Sequence, residues 1–116
     1  MSVNVPYVGN AIPRTAILTN TNLTNLYLSQ NKIRGLLNSL SVCNTTGGAL
    51  TFTLTLTDNN AVVTDIYLSK SVAANDTFIM TQHEIPIPDG WSLDIRASAG
   101  TLHVVAVIVQ VASTQG

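Results

Sequence analysis

Chemistry in a small chain usually begins with histidine, cysteine or clustered carboxylates. This chain has two histidines, His83 and His103, and one cysteine, Cys43. Zinc needs several such ligands at short, regular spacing. His83 stands beside Glu84 just before Ile85-Pro86, and His103 lies inside an apolar run, each without a second ligand at that spacing. Both read as structural or surface residues. Cys43 closes the strand-like stretch Leu40-Ser41-Val42-Cys43 and reads as a small apolar packing residue, because buried thiols are usually inert.

Asp58, Asp65, Asp76 and Asp89 fall at or near turns, where aspartate caps its own backbone. A calcium loop would show a denser run of oxygen ligands. Glu84 is the sole glutamate, and no Gly-x-Ser-x-Gly, phosphate-binding loop or carboxylate pair is present. Nothing nominates a nucleophile, base and orienting group, so the catalytic set is read as none, the metal set as none and the cofactor as none. Asn22-Leu23-Thr24, Asn44-Thr45-Thr46 and Asn75-Asp76-Thr77 match glycosylation acceptors, as chance allows in a chain rich in Asn and Thr.

Composition narrows the function classes further. Charged residues make up 9% of the 116 residues, against roughly 25% in ordinary globular proteins. Arg14, Lys32, Arg34, Lys70 and Arg96 are the only basic residues, and they are dispersed. Neutralising phosphates needs clustered Lys and Arg, so nucleic acid is not expected as a partner. Hydrophobic residues at 46% exclude a disordered chain. The longest apolar run, 102–111, is interrupted by His103 and Gln110 and is too short for a membrane helix, so no membrane partner is expected. Residues 1–6 lack the basic start and apolar stretch of a secretory leader. A lone cysteine suits assembly in a cytosol better than a secreted disulfide scaffold. Sparse charge with a net charge of -1 is a poor recipe for a soluble monomer, and it suits a subunit covered by neighbours.

The elements that must position these residues are strands. Asn44 to Thr57 reads NTTGGALTFTLTLT. Gly and Asn tolerate positive φ, which marks the start as a turn. Phe52, Leu54 and Leu56 then alternate with Thr51, Thr53, Thr55 and Thr57, giving one apolar face and one hydroxyl face. The hydroxyl face is expected outside, so Thr53→Ala should cost little while Phe52→Ala costs much. Strands are expected at 16–19, 23–28, 33–43, 49–57, 62–68, 76–80, 91–98 and 101–111. Asp58-Asn59-Asn60, Ala73-Ala74-Asn75, the segment Pro86-Ile87-Pro88-Asp89-Gly90 and Ala99-Gly100 punctuate them. Eight short strands with no helical period predict an all-β fold: a single antiparallel β-sandwich, jelly-roll-like or Greek-key. The domain is expected over 14–116, with an extended N-terminal arm over 1–13.

Strand 91–98 alternates Trp91, Leu93, Ile95 and Ala97 with Ser92, Asp94, Arg96 and Ser98, which leaves one wet face. Strand 101–111 has no wet face. Val105, Val107, Val109 and Val111 share one side, and Leu102, Val104, Ala106 and Ile108 share the other. A strand apolar on both sides must be covered on both, by another chain or by a loop or arm of its own. Val3, Val5, Tyr7 and Val8 give the arm apolar anchors, for a neighbouring subunit or as a loose terminus. The candidate oligomer or capsid contacts are therefore Val3, Val5, Tyr7, Val105, Val107 and Val109.

From about Gly35 to Val111 the order of features resembles small structural proteins of tailed bacteriophages. The resembling segments are Ser41-Val42-Cys43-Asn44-Thr45-Thr46-Gly47-Gly48 with its Thr-alternating strand, Val72-Ala73-Ala74-Asn75-Asp76-Thr77-Phe78, Ile87-Pro88-Asp89-Gly90-Trp91-Ser92-Leu93 and Arg96-Ala97-Ser98-Ala99-Gly100-Thr101. The resemblance is to capsid decoration or cement proteins and related accessory proteins. It implies a non-enzymatic virion subunit that binds and stabilises the outer capsid surface. It further implies a homotrimer or multi-copy ring, with copies of itself and a phage major capsid protein as partners and no cofactor. A neck, tail or baseplate subunit is the alternative. A carbohydrate-binding module would need exposed aromatics, for which Trp91, Tyr27 and Tyr67 are the candidates.

Overall fold

The computed structural model describes residues 10–29, 33–80 and 84–112. Nine strands follow in chain order: β1 (Asn10–Leu18), β2 (Thr24–Leu28), β3 (Ile33–Asn44), β4 (Leu50–Thr57), β5 (Val63–Val72), β6 (Thr77–Met80), β7 (Ile85–Ile87), β8 (Ser92–Ala97) and β9 (Leu102–Ala112). They pair antiparallel in a nested series: β1 with β9, β2 with β8, β3 with both β6 and β7, and β4 with β5. The first sheet runs β1-β9-β3-β6, with β7 continuing the β6 edge along β3. The second runs β2-β8-β4-β5. Nested pairs rolled into two facing sheets form a jelly roll. Of the two topologies the sequence allows, the long-range pairings select this one.

Alternation puts one face of each sheet into a shared interior. Phe52, Leu54, Leu93 and Ile95 from one sheet meet Leu37, Leu40, Val42, Leu102, Val104 and Ile108 from the other, all at most 1% exposed. Leu56, at the end of β4, is half-buried. Along the β5–β6 side, Phe52 packs on Phe78 at 5.4 Å and on Tyr67 at 6.0 Å between ring centroids. These offset and edge-on aromatic contacts add to the area they bury.

The first strand, expected over 16–19, begins at Asn10 and ends at Leu18. Residues 10–13, expected in the arm, are the first part of β1. Pro13 concealed the strand. It is tolerated because β1 is an edge strand with β9 as its single partner, so one missing N–H can face outward. The arm anchors Val3, Val5 and Tyr7 lie outside the described residues, as do His83 and Lys32. A second correction is β7. Pro86 and Ile87 read as the start of the punctuating segment 86–90, yet Ile85–Ile87 pairs with Gly35, Leu36 and Leu37 on the sheet edge, where proline is again acceptable.

The hydroxyl face of β4 faces outward in register but is not exposed. Thr53 and Thr55 retain 5% and 4% of their surface. The β5 backbone bulges opposite Phe52 and Leu54, with Ser69 at φ 48°, and the Ser69 N–H donates to Thr53 Oγ1 at 3.1 Å. Thr53 therefore holds a backbone donor that the irregular edge strand would otherwise leave unpaired.

Candidate interaction face

Of the contact candidates from the sequence, Val105, Val107 and Val109 fall among the described residues. Val105 is 39% exposed, and Val107 and Val109 are half-buried, all three on the outer side of β9. Leu102, Val104, Ala106 and Ile108 fill the interior side. The two-sided apolar strand is therefore central in its sheet, with one side closed by the second sheet and the other turned outward.

Register shows what surrounds those valines. One row crosses the sheet as Ile17, His103, Cys43 and Thr77. The next is Thr15, Val105, Ser41 and Ile79. Pro13, Val107 and Ser39 follow, and then Ala11, Val109, Leu36 and Pro86. These four rows contain no Lys, Arg, Asp or Glu. Ile17 and Ile79 are 59% and 60% exposed, values that core-facing isoleucines do not show. Arg34 stands one row beyond, opposite Val111, beside an apolar recess of about 220 Å³ lined by Leu36, Pro86 and Pro88. At strand spacings of about 4.8 Å and rises of about 3.4 Å per residue, the four rows cover about 500 Å². That footprint, in which Thr15, Thr77, Ser39, Ser41 and His103 are interspersed among the apolar residues, is similar in size to the largest surface patches of monomers, which are often functional.

The opposite outer face differs in kind. Asp94, 7% exposed, accepts hydrogen bonds from Asn25 Nδ2 at 2.9 Å and Ser92 Oγ at 3.0 Å. Arg96 lies exposed two residues on. These satisfied polar groups lie on β8, while the sheet's outer strands β2 and β5 expose Leu28, Val63 and Leu68.

Sequence reasoning located the β9 valines but missed Ile17, Ile79, Pro13, Leu36 and Cys43 as their neighbours. Cys43 is half-buried on this outer face, directly opposite His103, and is not a core residue. The alternation Ser39-Ser41-Cys43 was visible, but its meaning depended on which strands flanked it. Asn44, a formal glycosylation acceptor, is fully buried with its amide nitrogen donating to the Gly48 and Val72 carbonyls at 2.8 and 3.0 Å. Among the described residues no group of three or more His, Cys, Asp or Glu gathers where a metal could sit. Of the aromatics, Tyr27 is 3% exposed, and Trp91 and Tyr67 are half-buried against the core.

No family model matches the chain and no curated protein matches it in sequence. In fold it is similar to a chain in the structure of infectious bursal disease virus, Gx strain. The TM-score is 0.51 and the identity 10%, over 95% of this chain and 32% of that one. This chain thus spans about a third of the viral chain. The two share an all-β fold.

Proposed function

We propose that this protein is a non-enzymatic structural subunit of a virus particle. The observation that carries the proposal is the four-row sheet face centred on Val105 and Val107, which holds no Lys, Arg, Asp or Glu. Jelly rolls build viral capsid and lectin domains. The likeness in fold to a chain of a virus structure supports the first of these. A lectin site would use exposed aromatics, and here Trp91, Tyr27 and Tyr67 contribute to packing.

Within the particle, the reading is a decoration or cement protein on the outer capsid surface of a tailed phage, assembled in the host cytoplasm. Its partners are the major capsid protein and further copies of itself. From its own side of a contact, a face of about 500 Å² contributes at most about 12 kcal/mol at 25 cal/mol per Å². Association costs of about 4–15 kcal/mol offset most of that. A single contact is therefore weak, and holding power comes from many copies engaged together. Neck, tail and baseplate subunits would rest on the same physics at another location.

Peptide mass spectrometry of density-purified particles, from cells carrying the encoding genome, tests the proposal. The chain is expected to co-band with the shell subunit at a fixed copy ratio. Particles that form normally and contain none of it would refute a structural role.

A further inference from the structure

We infer that the outer face of the β1-β9-β3-β6 sheet is a self-interface, on which a second copy of this chain stacks about a twofold axis passing near Val105 and Val107. The inference rests on the reading of this face as a packing surface and names its occupant.

Three observations converge on a second copy. The first is electrostatic. Around a twofold axis each residue near the centre meets its own equivalent, so any charge there is placed beside a like charge. The rows from Ile17 to Pro86 carry no Lys, Arg, Asp or Glu, and His103 and Cys43 lie in the outermost row rather than at the centre. A partner of different chemistry would be selected by complementary charge, which this face does not offer.

The second observation is area. About 500 Å² from each copy buries about 1,000 Å² in a pair, the lower bound for a specific interface. The surface is a sheet of Val, Ile, Pro, Ser and Thr, and sheets of small and β-branched residues stack face to face at about 10 Å. A second copy supplies a sheet of the same width, pleat and twist.

The third observation concerns the alternative route, pairing of sheet edges. Each edge carries an obstacle to adding a strand. β1 contains Pro13, and on the opposite edge β6 is four residues long and β7 contains Pro86. β2 is five residues long and shifts register between Asn25 and Tyr27. β5 is broken by the bulges around Leu68 and Ser69. With the edges obstructed, and with Leu28, Val63 and Leu68 of the other sheet set on its two outer strands and Asp94 and Arg96 between them on β8, the β1-β9-β3-β6 face offers the continuous uncharged surface for self-association.

Sedimentation velocity of the full chain tests this directly, with alkylation of the single native thiol as a second readout. Wild type should move from 12.3 kDa to twice that mass as concentration rises through the micromolar range. Cys43 on the same face should become slower to react with a soluble maleimide over that transition. Val105→Glu and Ile79→Glu, both at exposed positions of the face, should each weaken the dimer by at least about tenfold, a change of one decade in Kd. Leu68→Glu, 66% exposed on the other sheet, should leave it unchanged. Circular dichroism confirms that each variant is folded. A monomer at every concentration with unchanged Cys43 reactivity overturns the inference. So does a trimer, or a dimer indifferent to Val105→Glu and Ile79→Glu. A monomer that still co-bands with particles would overturn the self-interface and leave the structural role intact. A dimer that never co-bands would do the reverse.

Discussion

Asn44→Ala removes a side chain that is fully buried and makes four hydrogen bonds. Its Oδ1 accepts from the Thr46 N–H at 2.9 Å and the Thr46 hydroxyl at 2.7 Å. Its Nδ2 donates to the carbonyls of Gly48 and Val72. The side chain thus ties the end of β3 to its own turn and to the end of β5, 28 residues on. These bonds are not equal in value. The Gly48 carbonyl keeps the Thr46 hydroxyl as a donor at 3.0 Å, and the Thr46 groups lie near enough to the surface to find water. The Val72 carbonyl is in a buried contact, and leaving such an acceptor unpaired costs about 1–3 kcal/mol. The lost turn bonds add about 1 kcal/mol at their usual net value. The expected loss is about 2–4 kcal/mol, and at about 4 °C per kcal/mol the melting temperature should fall by about 8–16 °C. Asn44→Asp keeps both Thr46 bonds but sets a carboxylate against two carbonyl oxygens, so at neutral pH it should be at least as damaging. Chemical denaturation of the three proteins, fitted with a shared m-value, measures this. A loss below about 1 kcal/mol for Asn44→Ala would refute the assignment of the turn's stability to this side chain.

Three further substitutions probe separate parts of the fold. Phe52→Ala should cost about 3–5 kcal/mol by denaturant titration, since it opens a cavity between Tyr67 and Phe78. Thr53→Ala should cost about 1–2 kcal/mol, more than an outward threonine suggests, because the Ser69 N–H loses its acceptor; Thr53→Ser should recover most of it. Gly35→Ala would drive a Cβ into the Tyr27 ring, overlapping Cε2 and meeting Cδ2 at 2.9 Å. That ring is held by a 3.0 Å hydrogen bond from Gln110 Nε2 to the Tyr27 hydroxyl, so a loss of about 1–3 kcal/mol is expected by thermal melting.

How far these effects were foreseeable divides along a physical line. Alternation is a local property of the chain, and side chains on a strand change face every residue whatever the strand pairs with. That is why the interior set Phe52, Leu54, Leu93 and Ile95 was legible, along with the turn chemistry of Asn44-Thr45-Thr46-Gly47-Gly48 and the two-sided character of β9. Proline weakens the local signal, so β7 and the first part of β1 were read as arm or punctuation. Only the edge positions assigned by the pairings made Pro13 and Pro86 acceptable there.

Which residues become neighbours across a sheet is decided by pairing over long stretches of chain, and no local pattern encodes it. The nested order of pairs, from β4 with β5 outward to β1 with β9, made the sandwich a jelly roll. It placed Ile17, Cys43, Ser41 and Ile79 around Val105 and so turned one apolar strand into a face. The same long-range decisions buried Thr53 under the β5 bulge, aimed Asn44 at the Val72 carbonyl and moved Cys43 from an expected core position to the outer surface. Sequence alone determined which face of each strand prefers to be dry. Tertiary structure decided which of those faces the chain could cover by itself, because two sheets have two outer faces and one shared interior. The outer face of the β1-β9-β3-β6 sheet is apolar in its residues but lies outside that interior.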